Sequence, residues 1–315
     1  MKVVFMGTPT EVIPVMDGLI SKGHEVLAVY TRPDRPAGRG MRLMSPATKT
    51  YAGSKGIRVF QPKSLSADGV AEDLELLGPT AIVVAAFGRK IPTKLLEIAP
   101  LGAINIHPSL LPKYRGPSPV ITTVLQGDAI TGVTVMRLDD GMDTGPIVAQ
   151  RKTKVLCDET AGELTRRLFE LGAELLTDTL PLLEKGEIAL LQQREAEASS
   201  TRLYTAADGE MNWSFSTGEL ERHVRAFDPW PGSFTYWKGS HLKILKAKSV
   251  KLDTDSAKVG HVIPIKLGNN MGAGVVTRDG VLGLEEVQIQ GRKRLSIDKF
   301  IIGQQDFLGT RLGRG

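Results

Sequence analysis

Seven consecutive apolar residues, Ala81-Ile82-Val83-Val84-Ala85-Ala86-Phe87, constrain this chain more than any other feature. A half-exposed strand or an amphipathic helix alternates apolar with polar residues, whereas a run that is apolar at every position is covered on both faces. The run therefore predicts the central strand of a parallel sheet with helices on either side. Its surroundings agree. Residues 2–6, 26–30, 58–60 and 103–107 are short β-branched runs, with helix-like sequence at 10–22 and 68–77 between them, which is the βαβ pattern. Residues 119–125 read as a further helix and 132–138 as a further strand. A long helix is expected over 160–183, where Leu164, Leu168, Leu171, Leu175 and Leu176 recur at spacings of three and four.

Past residue 186 the pattern changes. Residues 192–201 are polar and Ser-rich, as in a linker. One helix, 217–226, precedes Asp228-Pro229-Trp230-Pro231-Gly232. Short strands are then predicted at 233–237, 242–247, 259–265, 274–277 and 281–287, separated by Gly, Asp and Lys turns, which suggests a small β-barrel. With 315 residues there is chain enough for two domains. The division expected is 1–190, a linker at 191–205, and 206–315.

Several classes of function fall away. No apolar run approaches the roughly 18 residues that span a bilayer. The start, Met1 to Met6, reaches Gly7-Thr8-Pro9 too soon for a signal peptide, and the single cysteine, Cys157, has no partner in the chain, so a reducing cytoplasmic setting is expected. There is no GxxxxGK[ST] phosphate loop, no GxGxxG after the first strand and no GxSxG elbow. The five histidines are scattered and lack metal-ligand spacing, so no metal is expected. The charge is uneven: of a net +5, residues 206–315 carry +4, from 16 basic and 12 acidic side chains. A second basic cluster, Arg32, Arg35, Arg39 and Arg42 against Asp34, lies in a Gly- and Pro-rich stretch. Either patch suits a polyanion, although a net charge this small also serves plain solubility.

What remains is the stretch Asn105-Ile-His107-Pro-Ser109-Leu110-Leu111-Pro112-Lys-Tyr-Arg-Gly116. Residues two apart on a strand share a face, so the Asn105 carboxamide and the His107 imidazole point together, and Pro108 and Pro112 force an ordered loop at the carboxyl end of the strand, where parallel sheets bind ligands. A second polar loop, Asp139-Asp-Gly141-Met-Asp143-Thr-Gly145, can project a carboxylate, although Asp-Gly pairs are more often plain turns. Together the amide can donate to an oxyanion, the imidazole can move a proton, and the carboxylate can orient the imidazole. Such a set suits addition to a carbonyl without a metal or a covalent nucleophile.

Asn105-x-His107 with Ser109-Leu110-Leu111-Pro112, followed 31 residues after Pro112 by Asp143 within Asp-x-Gly-x-Asp-x-Gly, resembles the signature of the 10-formyltetrahydrofolate-dependent formyltransferases. The resemblance runs through Gly7-Thr8-Pro9, the loop from Pro33 to Gly40, Gln61-Pro62, Arg225-Ala226-Phe227 and Pro229-Trp230-Pro231, and so covers essentially the whole chain. It implies a Rossmann-like α/β catalytic domain followed by a small OB-like β-barrel, acting as a monomer. It implies 10-formyltetrahydrofolate as formyl donor and initiator methionyl-tRNA as acceptor. By the same resemblance Asn105, His107 and Asp143 are catalytic, Ser109, Leu110, Leu111 and Pro112 meet the folate, and Arg35, Arg39 and Arg42 meet tRNA. The loop at Ile106, Pro108 and Lys113-Tyr114 is also similar to that of the branch acting on glycinamide ribonucleotide, which is shorter and has a glycine-rich phosphate loop. The branch acting on sugar nucleotides, and a noncatalytic folate or RNA binder that kept the fold, rank below the tRNA reading. Phe227, Trp230 and Trp237 are read as an apolar joint in preference to a base-stacking surface.

Overall fold

The computed structural model describes residues 1–37, 41–252, 258–267 and 270–314. Its first half contains, in order, β1 (Lys2–Gly7), α1 (Ile13–Ser21), β2 (Glu25–Tyr30), β3 (Arg35–Ala37), β4 (Arg42–Met44), α2 (Ala47–Ser54), β5 (Arg58–Phe60), α3 (Val70–Leu77), β6 (Ala81–Ala85), α4 (Thr93–Leu96) and β7 (Ala103–His107). There follow α5 (Pro119–Gln126), β8 (Ile130–Arg137), β9 (Ile147–Lys154) and α6 (Ala161–Glu184). Seven strands form one sheet in the order β5-β2-β1-β6-β7-β8-β9, parallel as far as β7 and antiparallel beyond it. The apolar run at 81–85 sits in the middle, between β1 and β7, with every residue buried.

Alternate residues of these strands feed two cores. Val3, Phe5, Val83, Ile104 and Ile106 pack with α1, α2 and α6, while Val4, Met6, Ile82, Val84 and Ala103 pack with α3 and α4. Helix α6 comes unusually close to β7. A Cβ on Gly172 would lie 2.6 Å from Ile106 Cγ2, so only glycine permits this spacing.

Beyond residue 203 the chain forms α7 (Thr217–Ala226), β10 (Ser233–Trp237), β11 (Ser240–Val250), β12 (Val262–Leu267), β13 (Asn270–Val276), β14 (Val281–Ile289), β15 (Leu295–Ser296) and α8 (Ile297–Gly303). Ser216 and Glu219 start α7 with a reciprocal capping box. The strands make an antiparallel sheet ordered β10-β11-β14-β13-β12, with β15 added to β14. A register shift around Leu245 changes the alternation along β11, so that Lys243, Lys246 and Lys248 are all exposed.

The contacts divide the chain into two compact units, one of residues 1–119, 130–154 and 164–202, the other of 120–129, 155–163 and 203–315. Within the second, Arg222 Nε donates to the Leu125 carbonyl at 3.0 Å and the Gly162 N–H to the Asp228 carbonyl at 3.0 Å, which is why two short pieces of the first half group with the last third. Residues 192–202 belong to the first unit. They are polar because they run along its surface: Ser200 bridges Arg115 in parallel, and Leu191 bridges Ile147.

Candidate active site

Strand β7 delivers Asn105 and His107 to one end of the sheet. Ile104 and Ile106 anchor it on the opposite face. The imidazole of His107 is buried, 4% exposed, with Nε2 2.9 Å from the Tyr114 carbonyl oxygen. A carbonyl only accepts, so Nε2 carries a hydrogen, and Nδ1 is left facing Asp143 Oδ2 at 3.6 Å. A neutral imidazole and a carboxylate in this arrangement oppose two lone pairs, and the pair is completed by one proton. Burial pushes the His107 pKa down, while the Asp143 carboxylate and the Tyr114 carbonyl push it back up; burial prevails. Asn105 is half-buried, and among the described residues its carboxamide has no hydrogen-bond partner.

Asp143 is held at φ +56°, a conformation non-glycine residues seldom adopt. Its loop is built to impose it. Asp139 Oδ1 accepts from the Gly141 N–H at 3.1 Å and from Thr144 Oγ1 at 2.7 Å, and a Cβ on Gly145 would strike the Arg137 carbonyl at 2.0 Å. Asp143 Oδ2 also accepts from the Gly116 N–H at 2.7 Å.

The loop after β7 is equally fixed. Ser109 Oγ donates to the Lys113 carbonyl at 2.7 Å, and Thr134 Oγ1 donates to the Ser109 carbonyl at 2.6 Å. Gln150 Nε2 donates to the Leu111 carbonyl at 2.8 Å, and Leu111 packs on Met136 and Ile147. Ser109 and Leu111 are thus turned inward and shape the loop, while Leu110 and Pro112 keep exposed surface.

The arginine-rich segment is the hairpin β3–β4. Asp34 anchors its base, accepting from Lys49 Nζ at 2.7 Å, Gln61 Nε2 at 2.7 Å and Ser45 Oγ at 3.2 Å, contacts that hold its carboxyl below the usual carboxylate range. Arg35 is exposed on β3; Arg39 lies outside the described residues, and of Arg42 only the strand backbone is described. Met41 and Leu43 are exposed beside them, at 70% and 68%. Of the three aromatics read as a joint, Phe227 and Trp237 are buried, packed edge-on against His223 and against Phe300 and Phe307, whereas Trp230 is exposed. Sequence reasoning passed over Arg115 and Gln193 and gave Tyr114 no part in holding the site. Polar residues in a loop and a Ser-rich stretch carry no periodic signal of what they hold.

The profile of the Formyl transferase family matches residues 1–180, and that of the Formyl transferase, C-terminal domain family matches residues 204–305. The methionyl-tRNA formyltransferase of Chloroflexus aggregans is 42% identical over 294 residues, 93% of this chain and 94% of its own. That of Alkaliphilus oremlandii is 36% identical over 313 residues, 99% of this chain and 100% of its own. Among solved structures, HypX from Aquifex aeolicus in complex with tetrahydrofolic acid superposes with a TM-score of 0.67 at 19% identity, over 96% of this chain and 47% of that one. The chain spans about half the length of that protein, and at this identity the likeness is one of fold.

Proposed function

The chain belongs to the formyl transferase family, and on that premise we propose that it transfers a formyl group from 10-formyltetrahydrofolate to the α-amino group of methionine on initiator tRNA. The observation that carries the reading is the convergence of the unpartnered Asn105 carboxamide with the His107–Asp143 pair at the end of β7. In the proposed reaction the amine nitrogen bonds to the formyl carbon and the bond from that carbon to the folate nitrogen breaks. Asn105 donates a hydrogen bond to the formyl oxygen as negative charge builds there. The His107–Asp143 pair takes the proton that the amine gives up and passes it to the departing folate nitrogen. Burial of both groups keeps that proton from being lost to solvent. Leu110 and Pro112 offer an apolar wall to the folate, on a loop that Ser109 and Leu111 hold rigid.

In the same reading Arg35, Arg39 and Arg42 meet the tRNA, forked donors being suited to phosphates and base edges. Residues 1–190 supply the chemistry and 206–315 grip RNA, with Lys243, Lys246 and Lys248 on the exposed face of β11. The protein acts as a cytoplasmic monomer and needs no metal. The test is to incubate it with 10-formyltetrahydrofolate and, separately, methionyl-tRNA, glycinamide ribonucleotide and an amino-sugar nucleotide. Formylation of methionyl-tRNA with chelator present is the expected result; transfer to another acceptor only, or a requirement for a divalent ion, overturns the proposal.

A further inference from the structure

A closed ring of hydrogen bonds joins the candidate catalytic pair to residues outside it. The Tyr114 carbonyl accepts from His107 Nε2, and the Gly116 N–H donates to Asp143 Oδ2. Arg115 stands between these two residues. Its side chain, on a residue only 6% exposed, donates from Nε to Gln193 Oε1 at 3.1 Å. Gln193 Nε2 then donates to the carbonyls of Asp143 at 2.8 Å and Gly145 at 2.7 Å, and the ring returns to Asp143. A guanidinium only donates and carbonyls only accept, so the orientation of the Gln193 amide is determined.

The rest of the segment fastens the other side. Arg115 donates its N–H to the Ser199 carbonyl at 2.8 Å and accepts from the Thr201 N–H at 2.7 Å, and the Tyr114 N–H donates to Ser199 Oγ at 2.9 Å. Glu195 accepts from Arg115 Nη1 at 2.9 Å. Tyr114 at φ +63° and Asp143 at φ +56° both need such restraint.

We propose that Gln193, backed by Arg115, is a positioning residue for the transfer reaction: it clamps the turn from Asp143 to Gly145 and so keeps the carboxylate opposite His107. Residues 193–201 are then a strap belonging to the active site. The inference rests on the formyl-transfer reading, but the arrangement of the pair can be observed without turnover.

The test uses the full chain with Gln193→Ala, Gln193→Met, which keeps length without hydrogen bonds, and Gln193→Glu, which keeps the link to Arg115 but turns an acceptor toward the two carbonyls. Two quantities are measured: kcat and KM for formyl transfer, and the titration of the His107 ring by NMR with ¹⁵N-histidine. All three variants should lose about 10- to 100-fold in kcat with KM for both substrates little changed, because misplacement by about 1 Å carries a penalty of this order. In Gln193→Ala and Gln193→Met, which change no charge, the His107 midpoint should fall, since the Asp143 carboxylate that opposes the effect of burial has moved away; Gln193→Glu adds a carboxylate of its own and is read by kcat alone. Wild-type kcat and an unchanged midpoint in Gln193→Ala and Gln193→Met would overturn the inference, as would full activity in Gln193→Glu. Loss of the fold in all three, read by circular dichroism, would overturn it by making Gln193 a residue of stability. Should the unaltered protein formylate no acceptor, the functional reading fails, while the histidine titration still decides the clamp.

Discussion

Substituting Gly172 by alanine separates the stability of this fold from the geometry of its site. The added Cβ would meet Ile106 Cγ2 at 2.6 Å and Val133 Cγ2 at 3.1 Å, against a carbon–carbon optimum of about 3.5–4.0 Å. Relief requires a shift of roughly 1 Å between α6 and β7. Overpacking of this kind costs about 1–3 kcal/mol, and the better helix propensity of alanine offsets about 1 kcal/mol of it, which leaves a net loss of about 0–2 kcal/mol. The rate should suffer more. Ile106 lies between Asn105 and His107 on the strand, so its displacement carries both, and a shift of about 1 Å costs on the order of 10²-fold in turnover. Gly18 in α1 is the control: its added Cβ would meet Ala173 Cβ at 3.5 Å, an ordinary contact, so Gly18→Ala should gain about 0.5–1 kcal/mol with turnover unchanged. Urea unfolding and steady-state formyl transfer, run on both variants, provide the comparison. If Gly172→Ala matches Gly18→Ala in stability and in rate, the close approach of α6 to the catalytic strand is not what fixes the site.

Other consequences are open to direct measurement. Asn105→Ala should lower kcat about 10²- to 10³-fold while folate still binds, checked by steady-state kinetics alongside calorimetric titration with tetrahydrofolate; near-normal turnover would remove Asn105 from the mechanism. His223 is buried with its pKa pushed down to about 4 by burial, so above about pH 6.5 folded and unfolded forms agree in leaving it neutral, and between about 6.5 and 4 the unfolded chain binds the extra proton. Stability should therefore fall by about 3 kcal/mol as pH drops through that window, and His223→Gln should unfold with a shallower pH slope; an unchanged slope refutes the assignment. Asp34→Ala removes the anchor shared by Lys49, Gln61 and Ser45, so use of methionyl-tRNA should weaken while tetrahydrofolate affinity holds; parallel loss of both would place the hairpin at the folate.

Where burial dictates residue type, the sequence was readable. The run at 81–85 is apolar because it is covered on both faces, and residues 217–226 form the expected helix from end to end because Ser216 and Glu219 cap its start. Strand β9, polar at every position from Gln150 to Lys154 and alternating only in exposure, escaped notice because only one of its faces is covered and that face is lined by the stems of polar residues. The hairpin β3–β4 escaped because arginine and proline carry no strand signal. Asn105, His107 and Asp143 were legible as residue types at strand ends, and the structure adds the 3.6 Å separation of His107 from Asp143. Gln193 was not legible, since a single amide reaching two carbonyls across 50 and 48 residues leaves no local pattern. The shift at Leu245 was equally hidden, and it is why three lysines at unequal spacing are exposed together.

The outer strands of the large sheet bear on how this protein behaves in a concentrated solution. An open sheet edge is a template for another chain, and pairing of edges is the start of amyloid-like growth. One edge here, β5, is three residues long, too short to hold a foreign strand in register. The other, β9, carries exposed Lys152 and Lys154, and its Arg151 is paired with Glu174 and Asp178 of α6. A second molecule approaching that edge would have to strip water from both ammonium groups with no carboxylate to receive them. The unbroken polar run that concealed β9 as a strand is thus a barrier to self-association, and it keeps the sheet finite at seven strands.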